Sequence, residues 1–372
     1  MKIKFWLGLF ALLIVAACSD DNTGTDNPNN PGEPSDPSGF ERKAILTNWA
    51  DNIIIPSYEG YVSAVTELQA STETFNADLS EENLINLRAD MLEAYIAWQH
   101  VSMFEIGEAE RIQLRNFTNI YPANVAEIEA KTAGAEFNLE LPSTFDEQGF
   151  PALDYLLFGT GSTETEVIAY FNANAQASVY LQAVADRLNI LGTQVLEAWK
   201  NGGREDFVNN DSDSSTGSFN KMVNAFIQYY ERNLRAGKIG IPAGALSGQP
   251  FADRVEAFYA KNQSKNLFIE SLQATADFYN GKAFGSASIG ASLNSALSDL
   301  DNKALADDIN DQFDLILQSA QELNENLALQ VETDNSAMLE IRDELQVNTI
   351  LFKNDMVSAL NVTISYQDND GD

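Results

Sequence analysis

Ser80-Glu81-Glu82-Asn83-Leu84-Ile85-Asn86-Leu87-Arg88-Ala89-Asp90-Met91-Leu92-Glu93-Ala94-Tyr95-Ile96-Ala97-Trp98-Gln99-His100-Val101 sets the fold class. Ser80 is a good N-cap, and Glu81 and Glu82 stand in the electropositive first turn. Leu84, Leu87, Met91, Ala94, Trp98 and Val101 then recur at three- and four-residue steps, which puts them on one face of a helix. The same period continues on both sides. Thr163 and Glu166 make a capping box, a stripe runs through Leu181, Val184, Leu188, Leu191 and Val195, and Asn201-Gly202-Gly203 stops it. Leu305, Ile309, Phe313, Ile316, Ala320, Leu323 and Leu327 hold a stripe for over six turns. The aromatics on these stripes, Trp98 and Phe313 among them, read first as core.

Little else than helix is expected after Phe40, and the Gly-Pro-Ser-Asn breaks near 131–148, 201–218, 237–250 and 280–291 favour antiparallel neighbours. The fold class is therefore all-α, as two packed antiparallel helical bundles. The polar stretch Asn201–Ser218 places a boundary between an N-terminal bundle, residues 40–205, and a C-terminal bundle, residues 206–372. No repeat of solenoid period occurs. Only Leu360–Tyr366 alternates like a strand, giving a short extended C-terminal segment without an obvious partner.

Composition removes several functions. The 372 residues carry 55 Asp+Glu against 22 Lys+Arg, a formal charge of −33, so there is no surplus of cations to neutralise phosphates. Nucleic acid and anionic membrane surfaces are poor partners for such a chain. One Cys cannot form an intramolecular disulfide, and one His cannot build the two- or three-His sites of catalytic zinc.

Lys2 and Lys4 followed by the apolar run Phe5–Ala17 read as a signal peptide, residues 1–17, too short for a spanning helix. Val15-Ala16-Ala17-Cys18 resembles a bacterial lipobox, which makes Cys18 the lipidated residue of the mature chain. Residues 18–39 then form the lipidated Cys and a disordered tether, since Ser19–Ser38 contains no hydrophobic side chain to bury. Without residues 1–17 the chain has 20 Lys+Arg against 55 Asp+Glu, or −35 over 355 residues. Ser19-Asp20-Asp21 resembles the export signal of Bacteroidetes-type surface lipoproteins, so the expected location is the outer membrane or cell surface, lipid-anchored at Cys18.

Gly149-Phe150-Pro151-Ala152-Leu153-Asp154-Tyr155-Leu156-Leu157-Phe158-Gly159 is not explained by helix propensity alone. It resembles the signature of the imelysin (insulin-cleaving membrane peptidase-like) family. Five further segments share the resemblance: Ala94–Gln99 with Phe104, Asn119-Ile120-Tyr121-Pro122, Lys238–Gly244, the Phe258-Tyr259 to Phe278-Tyr279-Asn280-Gly281 region, and Asp368–Asp372. The resemblance implies two helical bundles with a site at their junction, and a G-x-H-x-x-E motif whose His and Glu could ligate a metal. This chain departs from that motif, with Pro151 at the His position and Asp154 at the Glu position. Proline offers a metal no lone pair. The binding candidates are Gly149, Phe150, Pro151, Asp154, Tyr155, Trp98 and Glu105, with Glu108 as a second carboxylate to join Asp154, the one candidate metal ligand.

Iron, haem and calcium are the candidate cofactors, since carboxylates alone favour hard cations. The resemblance implies iron-regulated uptake, with an outer-membrane receptor of an iron or haem uptake system as partner. Asp211-Ser212-Asp213 opens like a calcium loop but has Thr216 and Met222 where Gly and Glu belong; Asp368-Asn369-Asp370 has the same opening. His100 reads as a partly exposed helix residue. No phosphate loop, dinucleotide fingerprint or nucleophile elbow occurs. The expected function is a non-catalytic lipoprotein binding a ligand at the bundle junction, in iron or haem acquisition. The alternatives are a glycan- or protein-binding module using Trp98, Tyr121 and Tyr155, and a divergent metallopeptidase.

Overall fold

Helix Ile55–Ala77 buries Tyr58, Tyr61, Val65, Leu68 and Phe75 at helical spacing, and this face packs against helices Glu81–Gln99 and Ala175–Ala198. The computed structural model describes residues 39–366; residues 1–38, with the signal peptide, Cys18 and nearly all of the tether, and residues 367–372, with the Asp368–Asp372 segment, lie outside it. Ser80 accepts the Asn83 N–H at 3.4 Å, and the stripe from Leu84 to Val101 is buried. Thr163 and Glu166 cap reciprocally. The helix they open ends at Ala173, where Asn174 leaves helical geometry and its side chain donates to the Tyr170 carbonyl, and Ala175–Ala198 carries the stripe onward.

In the second half, helices Ser264–Tyr279 and Ser336–Ile350 pack on the π-helical segment Tyr229–Gly240, and Lys303–Gln321 packs on both helices and reaches the segment through Phe313 on Tyr230. The Leu305–Leu327 stripe outruns its helix. Leu323 and Leu327 are buried, but the helix stops at Gln321 and a new one starts at Leu327. Asn324 accepts the Asn326 N–H and Asn326 caps the Leu329 N–H, local bonds that compete with continued helix. The break expected over 237–250 occupies only the later part of that stretch: the chain stays helical through Ala243 and turns at Gly244.

Helices on either side of residue 205 share an aromatic core. Trp49 stacks between Phe219 and Phe278, at 5.6 and 4.8 Å between centroids, and Phe104 meets Phe278 at 5.5 Å. The fold is all-α: no strand occurs among the described residues, and Lys282 and Ile289 form an isolated antiparallel bridge.

The C-terminal segment opens with a turn at Leu360 and Asn361, the latter at φ +52°, and the residues after it form no regular element but are held by a row of side chains. Asn220 accepts the Thr363 N–H at 3.0 Å, and Asn224 accepts the Ser365 N–H at 2.8 Å while donating to the Thr363 carbonyl at 2.9 Å. Four residues apart on one helix, the two amides supply the hydrogen bonds that a neighbouring strand would. No described helix is long and apolar enough to cross a membrane.

Candidate functional site

The Gly149–Gly159 string is explained by close approaches at its two ends. Gly149 has φ +72°, and a Cβ there would lie 2.1 Å from the Thr118 carbonyl oxygen, so only glycine lets the 117–118 backbone cross and deliver Asn119 to the junction. A Cβ at Gly159 would sit 2.6 Å from the Tyr259 ring and 2.7 Å from that of Tyr155. Between them, Phe150 is buried and stacks on Tyr95 at 4.4 Å, and Pro151 sits in the first turn of helix Gly149–Asp154, where its missing N–H leaves no helical bond unmade.

Asp154 ends that helix and is 3% exposed. Its two carboxylate oxygens accept the backbone N–H groups of Tyr259, at 2.9 Å, and Ala260, at 2.7 Å. Burial pushes its pKa up to about 7; the two N–H groups pull it back, and nearby Glu256 adds to the rise.

Glu256 anchors a buried polar network. One oxygen accepts from the Lys238 ammonium, and the other from Asn119 at 2.7 Å and, at the limit of 3.5 Å, from Gln99. Gln99 accepts from Lys238 at 2.9 Å, and Asn119 accepts the Tyr95 hydroxyl at 2.7 Å. Burial lowers the Lys238 pKa, and the Glu256 charge opposes that. The network joins helix Glu81–Gln99 and Asn119 to the π-helical segment and the 255–260 loop. Five of the six segments that carry the family resemblance thus meet here, the signature string through the bonds of Asp154 to Tyr259 and Ala260. Two lie beside unusual backbone: Asp154 precedes the π-helical turn Tyr155–Gly159, and Lys238 lies within Tyr229–Gly240. Such segments recur at functional sites.

Beside this network opens a pocket of about 260 Å³, walled by Tyr121, Pro151, Asp154, Asp253, Phe258 and Tyr259. The Phe258 and Tyr259 rings stand at 82° to each other, 5.0 Å apart, and Tyr155 meets Tyr259 edge-on at 5.2 Å. Tyr155 itself donates to Glu129 at 2.6 Å.

The structure brings only some of the sequence candidates together. Gly149, Phe150, Pro151, Asp154 and Tyr155 form or support the pocket. Trp98 packs in the core against Tyr61, and Glu105 faces Arg115, with burial raising its pKa and Arg115 opposing the rise. Glu108 pairs with Arg111 and Gln194. None of these three walls the Asp154 pocket. His100 lies 3.6 Å from Glu270 and edge-on to Phe284, on a different cavity. Sequence reading missed Glu256 altogether and passed over Lys238, Asn119 and Gln99 as parts of segments. Lysine inside the apolar run Gly237-Lys238-Ile239-Gly240-Ile241 was the available signal, because a buried Lys needs a partner.

A metal does not fit these residues. Among the described residues no group of three or more His, Cys, Asp or Glu is placed to hold one. Both Asp154 oxygens are aimed at N–H groups and both Glu256 oxygens at protein donors, one of them a cation. Calcium takes six to eight oxygens, and zinc or iron sites are built largely from His, Cys and free carboxylates.

Solved structures share the fold. An imelysin-like protein from Psychrobacter arcticum 273-4 superposes with a TM-score of 0.68 at 18% identity, covering 87% of this chain and 97% of that one. A structure described as a "putative iron-regulated protein A precursor", from Parabacteroides distasonis ATCC 8503, gives 0.60 at 16% identity with the same coverage. No curated protein matches the sequence. The imelysin family model matches residues 54–347, a span that holds the signature string, the buried network and the pocket they enclose, and the chain belongs to the imelysin family.

Proposed function

We propose that this protein is a non-catalytic, ligand-binding member of its family, tethered through Cys18 to the outer membrane or cell surface. The pocket beside Asp154 is the observation that carries the reading. It lies where both bundles contribute residues, it has aromatic walls, and its volume of about 260 Å³ suits a small ligand. Hydrolysis has no support in the donor set, because a catalytic metal needs three protein ligands with an open position for water.

The Parabacteroides relative, described as iron-regulated, favours a place in iron acquisition, alongside an outer-membrane receptor. On the residues present the protein serves that role by holding a small organic molecule. Haem exceeds the pocket's volume, and of the side chains that serve as haem axial ligands the pocket offers only tyrosines.

Thermal-shift screening of the mature protein against small organic ligands tests the reading, with Tyr259→Leu as the pocket variant. A ligand at a hundred times its Kd stabilises by about 2.7 kcal/mol. The expected result is a hit lost in Tyr259→Leu. A hit unaffected by that change, or cleavage of casein or insulin that a chelator abolishes, contradicts it.

A further inference from the structure

We infer that the junction pocket recognises an alkylated organic ammonium group, of the quaternary or tertiary kind, through its aromatic walls and the carboxylates around them. The inference rests on the pocket being the ligand site and names the ligand's chemical class.

Three observations point to this class. The lining residues include Tyr121, Phe258 and Tyr259, and the rings of the last two stand nearly perpendicular to each other. Aromatic faces attract cations through their quadrupole, most strongly where water is excluded. The charge around the pocket is negative. Asp154 and Asp253 line it, and burial, Asp154, Asp253 and Glu129, in that order, raise the pKa of the Tyr259 hydroxyl. No lysine or arginine lines the pocket; Lys238 is committed to Glu256 and Gln99. A cation entering therefore meets no competing positive wall.

The third observation separates alkylated from primary ammonium. A primary ammonium brings three N–H donors that need acceptors once buried. The most buried carboxylate, Asp154, already receives a backbone N–H on each oxygen. A quaternary ammonium has no N–H and a tertiary one has a single N–H, so either needs fewer acceptors and takes its stabilisation from ring faces and from the field of carboxylates at short range. Its methyl groups also bury apolar surface against Pro151, Phe258 and Tyr259. The same reasoning excludes a bare metal ion, which cannot use a ring face in place of oxygen ligands. The chain's formal charge of −33 draws cations to its surface in general, so specificity has to come from the pocket.

Calorimetric titration of the mature full-length protein with choline, ethanolamine and 3,3-dimethyl-1-butanol tests this. The three share a small alcohol, and they differ in alkylation and in charge. The expected result is one choline per chain, with ethanolamine and the neutral isostere each at least tenfold weaker. Asp253→Asn should weaken choline three- to tenfold and Tyr259→Leu at least tenfold, while circular dichroism shows both variants folded. Asp253 is exposed, so its substitution leaves the core intact. Equal binding of the neutral isostere overturns the cationic class but leaves the pocket as a ligand site. Choline binding unchanged in both variants and lost in physiological salt assigns it to the acidic surface and overturns the inference. Absence of binding by all three also overturns it, and the screen under Proposed function then decides separately whether the pocket takes any ligand.

Discussion

The Lys238 ammonium lies against the Glu256 carboxylate at the junction of the two bundles, with side chains 5% and 3% exposed. The pair is held on both sides, by Gln99 at 2.9 Å from the amine and by Asn119 at 2.7 Å from the acid. A buried cation thus already balances Glu256, the carboxylate whose charge adds to the rise of the Asp154 pKa.

Breaking that pair strands a buried charge. Lys238→Met and Glu256→Gln singly are expected to cost about 3–5 kcal/mol each, whereas the double variant recovers most of the loss, since removing both charges leaves nothing uncompensated. Urea unfolding of the four proteins gives the coupling. Additive single effects contradict the account.

Gly149→Ala places a methyl group against the Thr118 carbonyl in a left-handed conformation. Strain and overpacking together predict a loss of roughly 2–5 kcal/mol, well beyond an ordinary surface Gly→Ala change. Thermal unfolding measures it. Gly134→Ala is the control: it also has positive φ, but its Cβ meets nothing closer than 3.9 Å, so it should lose less.

Asp154 gives the stability a pH dependence of predictable sign. Its pKa is about 7 in the fold against 3.8 ordinarily, so the folded state binds the proton more tightly than the unfolded chain. Its contribution is complete below pH 3.8 and is lost as the pH rises through 7. The stability difference between wild type and Asp154→Asn should fall by as much as about 4 kcal/mol over that window. A difference that stays constant with pH contradicts the burial-driven shift.

The C-terminal segment hangs on two side-chain amides. Asn220→Ala and Asn224→Ala should each cost about 1 kcal/mol and speed amide hydrogen exchange at Thr363 and Ser365 respectively. Protection unchanged in both variants contradicts the side-chain pairing.

The helical bundles were legible because burial imposes a three- to four-residue period, and Ser80, Thr163 and Glu166 marked the starts by chemistry local to each cap. The π-helical segments were not legible, since no residue pattern distinguishes their wider turn from α-helix. The end of the Leu305–Leu327 stripe was misplaced for a related reason: apolar residues also line the turn after Gln321. Alternation in Leu360–Tyr366 pointed to an extended segment; the residues form no strand, Leu360 and Asn361 turn, and what holds the rest is a pair of asparagine amides that no strand pattern reveals. At the site, Asp154 was found through the string that contains it. Glu256 was not, because an acidic residue in a loop looks solvent-facing until Lys238, 18 residues earlier, and Asn119, 137 residues earlier, are brought to it. Trp98 was drawn into the candidate list because an aromatic on a helical stripe has the same spacing whether it meets a ligand or the core.

The most direct test is the metal content of the mature protein, purified without chelator and measured by mass spectrometry beside Asp154→Ala. The account predicts no stoichiometric metal in either, because protein donors already occupy the Asp154 and Glu256 oxygens. One equivalent of iron or calcium in the wild type that disappears in the variant would contradict it.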